Sequence, residues 1–200
     1  MPRFMPAVCL AVPLALVLSA CGGADSDKKP AAESKSKETA PAGVAHQHTV
    51  LAAEIAARGG KTRAGDFNVG YIVEAAEPWF HAEHGMHGKQ VHRAPAKDET
   101  HHIEIIPMEA KTGRIVPDVP ITLEVVDKGG KVVQAKELNF YYSEFFHYAN
   151  NFSIPKGGKY TLRAKLDTPN FLRHGASGEK PALSEGATAT FRNVELKPES

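Results

Sequence analysis

"ITLEVVDKGGKVVQAKELNF", residues 121–140, reads as two strands joined by a turn. Ile121, Leu123 and Val125 share one face of an alternating run, as a half-buried strand requires. Asp127-Lys128-Gly129-Gly130-Lys131 follows. Its two glycines are free to take positive φ, so residues 131–140 are expected to return as the second strand of a hairpin. The same period of two recurs in both directions. Residues 67–74 ("FNVGYIVE") are rich in β-branched and aromatic side chains, and residues 100–108 ("THHIEIIPM") alternate. Residues 147–154 form a further strand, closed by the turn "PKGGK". In residues 160–167, Tyr160, Leu162, Ala164 and Leu166 face one way and Thr161, Arg163 and Lys165 the other. Residues 187–196 complete the set.

Seven short strands with Gly/Pro turns and no helical block predict an all-β fold over residues 66–200. The expected architecture is an antiparallel β-sandwich, immunoglobulin-like but lacking the Cys…Trp…Cys pattern of antibody domains. Residues 50–65 begin with "VLAAEIAARGG", which predicts a short helix or linker stopped by Gly59-Gly60.

The N-terminus reads as a targeting segment. Residues 1–20 carry one early positive charge, Arg3, and an apolar run from 7 to 20, too short to span a bilayer as a helix. The run ends in Leu18-Ser19-Ala20-Cys21, which resembles a bacterial lipobox. That likeness implies cleavage before Cys21, lipidation of its thiol, and a periplasmic protein anchored to the cell envelope. Gly22 in place of Asp favours the outer membrane. Cys9 leaves with the signal, so no disulfide forms within the mature chain and the core must hold the fold. Arg3 leaves too, taking the formal charge from +1 to zero. With no basic stripe, nucleic acid is not an expected partner. Residues 21–49, rich in Ala, Lys, Ser, Glu and Pro, are expected to be a disordered linker. Its end carries His46 and His48, read first as linker polarity.

The chemistry concentrates elsewhere. Six of the ten histidines lie between positions 81 and 102, with Glu83, Met86 and Glu99 among them. In "HHIEII", His102 and Glu104 are two apart on a predicted strand and therefore share a face, with Ile103 and Ile105 on the other. A neutral imidazole beside a carboxylate makes a chelating edge that suits Zn2+, Cu2+ and Fe2+. His147 and His174 stand near strand ends, where a sandwich can bring distant residues together. Met86 or Met108 would add a softer ligand favouring copper.

Residues 67–174 resemble the periplasmic ferrous-iron transport lipoprotein family, immunoglobulin-like proteins of bacterial iron uptake that bind iron or copper. The likeness rests on "HIE" (His102, Glu104), on "VPDVPITLEVVDKGGK" leading to "HYANNF" (His147), and on "RHG" after a Pro-containing loop (His174). Glu77 in "EAAEPW" sits where the family has a Glu-Pro able to approach the metal, with Glu74 as the fallback. The resemblance implies a metal site of His102, Glu104, His147, His174 and Glu77, an inner-membrane iron permease as partner, and pairing as a homodimer near the site. The family's Met, seven residues before the His of the His-Tyr strand, is replaced by Phe140.

The segment "HAEHGMHGKQVH" is expected to be a mobile connection between the first strand and the ligand strand. His81, His84, Met86, His87 and His92 then form either an accessory loading site or a solvated loop. Histidines bind metal only when neutral, so binding at either site is expected to weaken at low pH. The leading function is a lipid-anchored divalent-metal-binding protein supporting Fe2+ uptake. Copper sequestration or chaperoning is the alternative, and a module without metal a further one. An enzyme is not expected: the His-x-His at His46 and His48 lies in the linker, and Gly-x-Ser-x-Gly, His-Glu-x-x-His and Walker-type motifs are missing from the chain.

Overall fold

A computed structural model describes residues 42–84 and 88–197. The signal segment, Cys21, Met86 and His87 lie outside the described residues. Element order is α1 (Ala42–Arg58), β1 (Gly59–Ala64), β2 (Phe67–Ala75), β3 (Trp79–Ala82), β4 (Gln90–Arg93) and β5 (His101–Glu109). β6 (Ile121–Val126), β7 (Val132–Glu137), β8 (Asn139–Tyr142), β9 (Phe146–Phe152), β10 (Gly158–Leu166) and β11 (Ala187–Leu196) follow.

Nine strands form two antiparallel sheets, ordered β1-β2-β5-β9-β8 and β11-β10-β6-β7, and β3 pairs with β4 as a separate ribbon. Setting aside the outer strands β1 and β7, the orders β2-β5-β9-β8 and β11-β10-β6 reproduce the A-B-E-D and G-F-C sheets of an immunoglobulin-type sandwich. The expected fold class is therefore the observed one. Between the sheets lie Phe67, Val69, Ile103, Ile105, Leu123, Val125, Phe152 and Leu162, all fully buried. Tyr148 ties the β5–β6 connection to this core: its hydroxyl donates to the Val116 carbonyl and accepts from the Val119 N–H.

Three boundaries differ from the sequence reading. The helix begins at Ala42, inside the expected linker, and so the ordered domain starts well before residue 66. The reason is tertiary. Leu51 and Ile55, one turn apart, bury against Ile72, Ile106, Met108 and Phe145 on the outer face of the five-stranded sheet. Each fully buried aliphatic is worth about 1.5–3 kcal/mol, enough to order an Ala-rich segment. Gly70 permits the approach, since a Cβ there would stand 2.7 Å from Ile55 Cδ1. Residues 59–64, expected as linker, pair with β2 along their whole length. The strand expected over 131–140 is two strands: β7 stays with β6, and after Leu138, packed on the core, β8 crosses to pair with β9.

Candidate metal centre

β5 is buried on both faces, so its alternation sorts side chains between two environments. Ile103 and Ile105 enter the inter-sheet core, while Ile106 and Met108 meet α1 on the outer face. His102 and Glu104 share that outer face, as the spacing predicted. On the neighbouring strand β9, Tyr148 and Phe152 fill the core and His147, Ala149 and Asn151 face outward. Ala149 stands directly opposite Glu104, and its small side chain leaves room for the carboxylate.

The fold thus brings together His102, Glu104 and His147. One ligand atom from each lies within 4.8 Å of the others. The three are 2 %, 6 % and 4 % exposed, respectively, values that set them apart from surface histidines such as His81 and His92. The rings of His102 and His147 are 6.3 Å apart and nearly perpendicular, and His147 Nε2 is 3.6 Å from Glu104 Oε1.

Hydrogen bonds fix both tautomers. Asn151 donates its amide nitrogen to the Glu77 carbonyl (2.8 Å), so its oxygen is the acceptor of the 2.8 Å contact with His102 Nδ1. His102 Nδ1 must therefore carry the proton. His147 Nδ1 donates to the Phe145 carbonyl at 3.3 Å. Both Nε2 lone pairs are left for a ligand, the outer support found around metal-binding histidines. Glu104 Oε2 is buried with no hydrogen-bond partner among the described residues. A buried orphan carboxylate oxygen is costly unless a cation or proton meets it, so the donor set fits a divalent ion.

The electrostatics agree. Burial, reinforced by Glu74 and Glu77, pushes the Glu104 carboxyl up to about 8. Burial lowers His102 and takes His147 down to about 4. Near neutral pH the pocket then holds a protonated carboxyl and two neutral imidazoles, a chelating set with no net charge.

The triad forms the floor of a cavity of about 970 Å3. Glu77 lines this cavity but is itself exposed, and its backbone, not its carboxylate, is what Asn151 holds. Glu74, directly across from His102 on β2, is ion-paired with Arg58. Tyr141 stacks parallel on His147 at 5.5 Å, and Trp79 meets Tyr141 edge-on at 5.7 Å. Phe140, at the position of the family's methionine, stands opposite Tyr148 and stacks on Phe146, on the face away from His147. Met108 belongs to the helix-facing cluster and not to the ligand set.

His174 is not brought to the triad. It lies exposed in the connection between β10 and β11, outside the cavity lining. Four backbone carbonyls accept from Arg173 (Pro169, Phe171, Ala182 and Leu183), which organises that loop and leaves Leu172 98 % exposed beside it. Among the described residues, the histidine-rich segment is flanked by paired strands, with His81 opposite Val91 and Phe80 opposite His92. His81 lines the cavity, His84 is exposed, and His92 packs on Phe80 at 5.0 Å. His46 and His48 lie exposed on α1. Of Asn151, the period of two carried a usable signal, since it lies four residues beyond His147 on the same face. Tyr141, Arg58 and Glu54 gave none.

Copper-reconstituted P19 from Campylobacter jejuni has a similar fold, with a TM-score of 0.52 at 15% identity over 70% of this chain and 96% of that one. FetP from uropathogenic Escherichia coli strain F11 aligns over 70% of this chain and 96% of its own, at 17% identity and a TM-score of 0.48. No curated protein sequence matches. The model of the Fe2+ transport protein family matches residues 80–180, a span that contains His102, Glu104, His147 and His174. The chain belongs to the Fe2+ transport protein family.

Proposed function

We propose that this protein carries a divalent metal ion, Fe2+ or Cu2+ with Zn2+ also suited, on His102, Glu104 and His147, and that it supports iron uptake in the periplasm. The observation that carries the reading is the buried triad, with two Nε2 lone pairs set by their hydrogen bonds and one orphan carboxylate oxygen. Membership of an Fe2+ transport family supports iron as cargo. Glu104 gives up its proton as the ion arrives, and Asn151 and the Phe145 carbonyl hold the imidazoles in the binding tautomer. Copper binding is expected as well, because imidazole and carboxylate sites follow the Irving–Williams order.

The remaining parts of the reading follow from the sequence. Lipid on Cys21 anchors the protein to the envelope, with the outer membrane favoured, and an inner-membrane iron permease receives the ion. His174 serves a metal site only through a second copy of the chain: its loop is organised and exposed, and it stands apart from its own triad. A homodimer that seats this loop at the partner's cavity would add the missing imidazole.

The test is titration of the metal-stripped protein with Fe(II) under anaerobic conditions, and with Cu(II) and Zn(II), by calorimetry. One site per chain is expected, lost in His102→Ala and His147→Ala. His174→Ala should weaken binding and, in sedimentation, shift the protein toward monomer. Binding that survives both triad substitutions would sink the assignment. Dependence of growth on scarce iron rather than on copper separates uptake from copper sequestration.

A further inference from the structure

α1 lies outside the residues that the family model matches, yet it supplies two side chains to the metal cavity, Glu54 and Arg58. Around the cavity stand five carboxyl groups, from Glu54, Glu74, Glu77, Glu104 and Glu144. Among the described residues lining it, Arg58 is the only lysine or arginine. Its guanidinium, about half exposed, reaches from the last turn of the helix and forms ion pairs with both Glu54 and Glu74.

Glu74 is the important partner. In the β2–β5 register it stands directly opposite His102, and its side chain is 18 % exposed. Side chains so paired on one face have Cβ atoms about 4.5–5.5 Å apart. The carboxylate that Arg58 neutralises therefore adjoins a proposed metal ligand. Two cations compete for the same acidic mouth, one tethered to the helix and one free.

We infer that Arg58 is a tethered counter-cation of the empty site, exchanged for the incoming metal ion. This rests on the proposed metal site. In the empty protein the guanidinium holds Glu74 and pins the end of α1 to the sheet. A dication on the triad makes it redundant and repels it, so Arg58 leaves Glu74 and the last turn of the helix loosens. The exchange lowers affinity and speeds release, which suits a carrier that must hand its cargo on. It also writes the loaded state into the N-terminal helix.

Zinc is the probe, being free of redox chemistry. Its affinity would be measured by competition with a chromophoric chelator for the wild-type protein, Arg58→Gln, Arg58→Lys, Glu74→Gln and His102→Ala. Arg58→Gln should bind zinc roughly tenfold more tightly, within the usual range of coupling between linked binding events. Arg58→Lys should stay close to wild type and Glu74→Gln should bind more weakly. A merely structural Arg58 predicts the opposite sign, since its loss would loosen the site. In the unaltered protein, zinc should speed amide exchange in the last turn of α1; unchanged or slower exchange overturns the inference even where Arg58→Gln fails to fold. Zinc binding that is lost in His102→Ala but not tightened in a folded Arg58→Gln sinks only the role of Arg58. Binding that His102→Ala leaves intact sinks the metal site, and the exchange with it.

Discussion

Glu104→Gln should stabilise the metal-free protein while crippling it as a metal binder. In the unfolded chain this carboxyl has an ordinary pKa near 4.5, and in the folded chain it is about 8. Above pH 4.5 the unfolded state surrenders a proton that the folded state keeps. Stability is therefore fully present below that value and falls as pH rises, until it levels off above about 8. At 1.36 kcal/mol per unit, the span from 4.5 to 7 costs about 3 kcal/mol. Glutamine has the same shape and no proton to lose. A buried amide with imperfect partners costs about 1 kcal/mol, so the net gain at pH 7 is about 2 kcal/mol, or about 4–8 °C in Tm for a domain of this size. Scanning calorimetry of chelator-treated wild type and Glu104→Gln from pH 4.5 to 8.5 would measure it. The gain should cross zero a little above pH 5, become a loss of up to about 1 kcal/mol near pH 4.5, and be largest at the alkaline end. A lower melting temperature at pH 7, or a gain that does not change with pH, would refute the reasoning.

Three further outcomes follow from the same structure. Metal binding at pH 7 should release close to one proton, from Glu104, because both imidazoles are already neutral; calorimetry in buffers of different ionisation enthalpy reads the number, and zero would contradict the protonated pocket. Asn151→Ala frees the His102 ring and unties the Glu77 backbone, so metal affinity should fall about 10–100-fold, with far-ultraviolet dichroism confirming that the sheets persist. Leu51→Ala removes a side chain that is 2 % exposed beneath α1 and should cost about 2–5 kcal/mol in denaturant unfolding; a cost below about 1 kcal/mol would mean that the helix is not integral to the fold.

The sandwich was legible because every one of its buried strands carries a two-residue period, and that period alone separated His102 and Glu104 from Ile103 and Ile105. What escaped has a common cause. α1 opens with Gly43 and two polar histidines and presents only Leu51 and Ile55 as buried residues, so its local pattern is weak and the sheet beneath it decides its length. The short β3 and β4 pair only with each other, and their mostly exposed side chains give no inward stripe to read. β8 was hidden by continuity: the sequence runs from β7 through Leu138 without a turn signal, and the change of sheet is a property of the core around Leu138. In the candidate site, residue type and the two-residue spacing pointed to His102 and Glu104. Neither pointed to Arg58, since an arginine 44 residues before His102 carries no local hint that its partner is Glu74.

The charge state of the pocket bears on what the protein can select. A dication entering a site that holds one exchangeable proton and two neutral imidazoles must displace that proton, so affinity tracks pH below about 8. This coupling acts equally on iron, copper and zinc and favours none. The intrinsic order of imidazole and carboxylate sites favours copper over iron. Phe140, at the position of the family's methionine, stands opposite Tyr148 and stacks on Phe146, on the face away from His147, while Tyr141 covers the His147 face, so the triad keeps only nitrogen and oxygen donors. Losing a soft ligand penalises Cu(I) far more than Fe(II). Tyr141→Met, on the His147 face, should therefore raise affinity for Cu(I), measured anaerobically against a chromophoric chelator, while leaving Fe(II) affinity within about threefold, and Phe140→Met, on the opposite face, should change neither. Equal gains for both ions in Tyr141→Met, or none for either, would mean that the hard character of the site is set by the triad alone, and a Cu(I) gain in Phe140→Met would refute the facing read from the strand register.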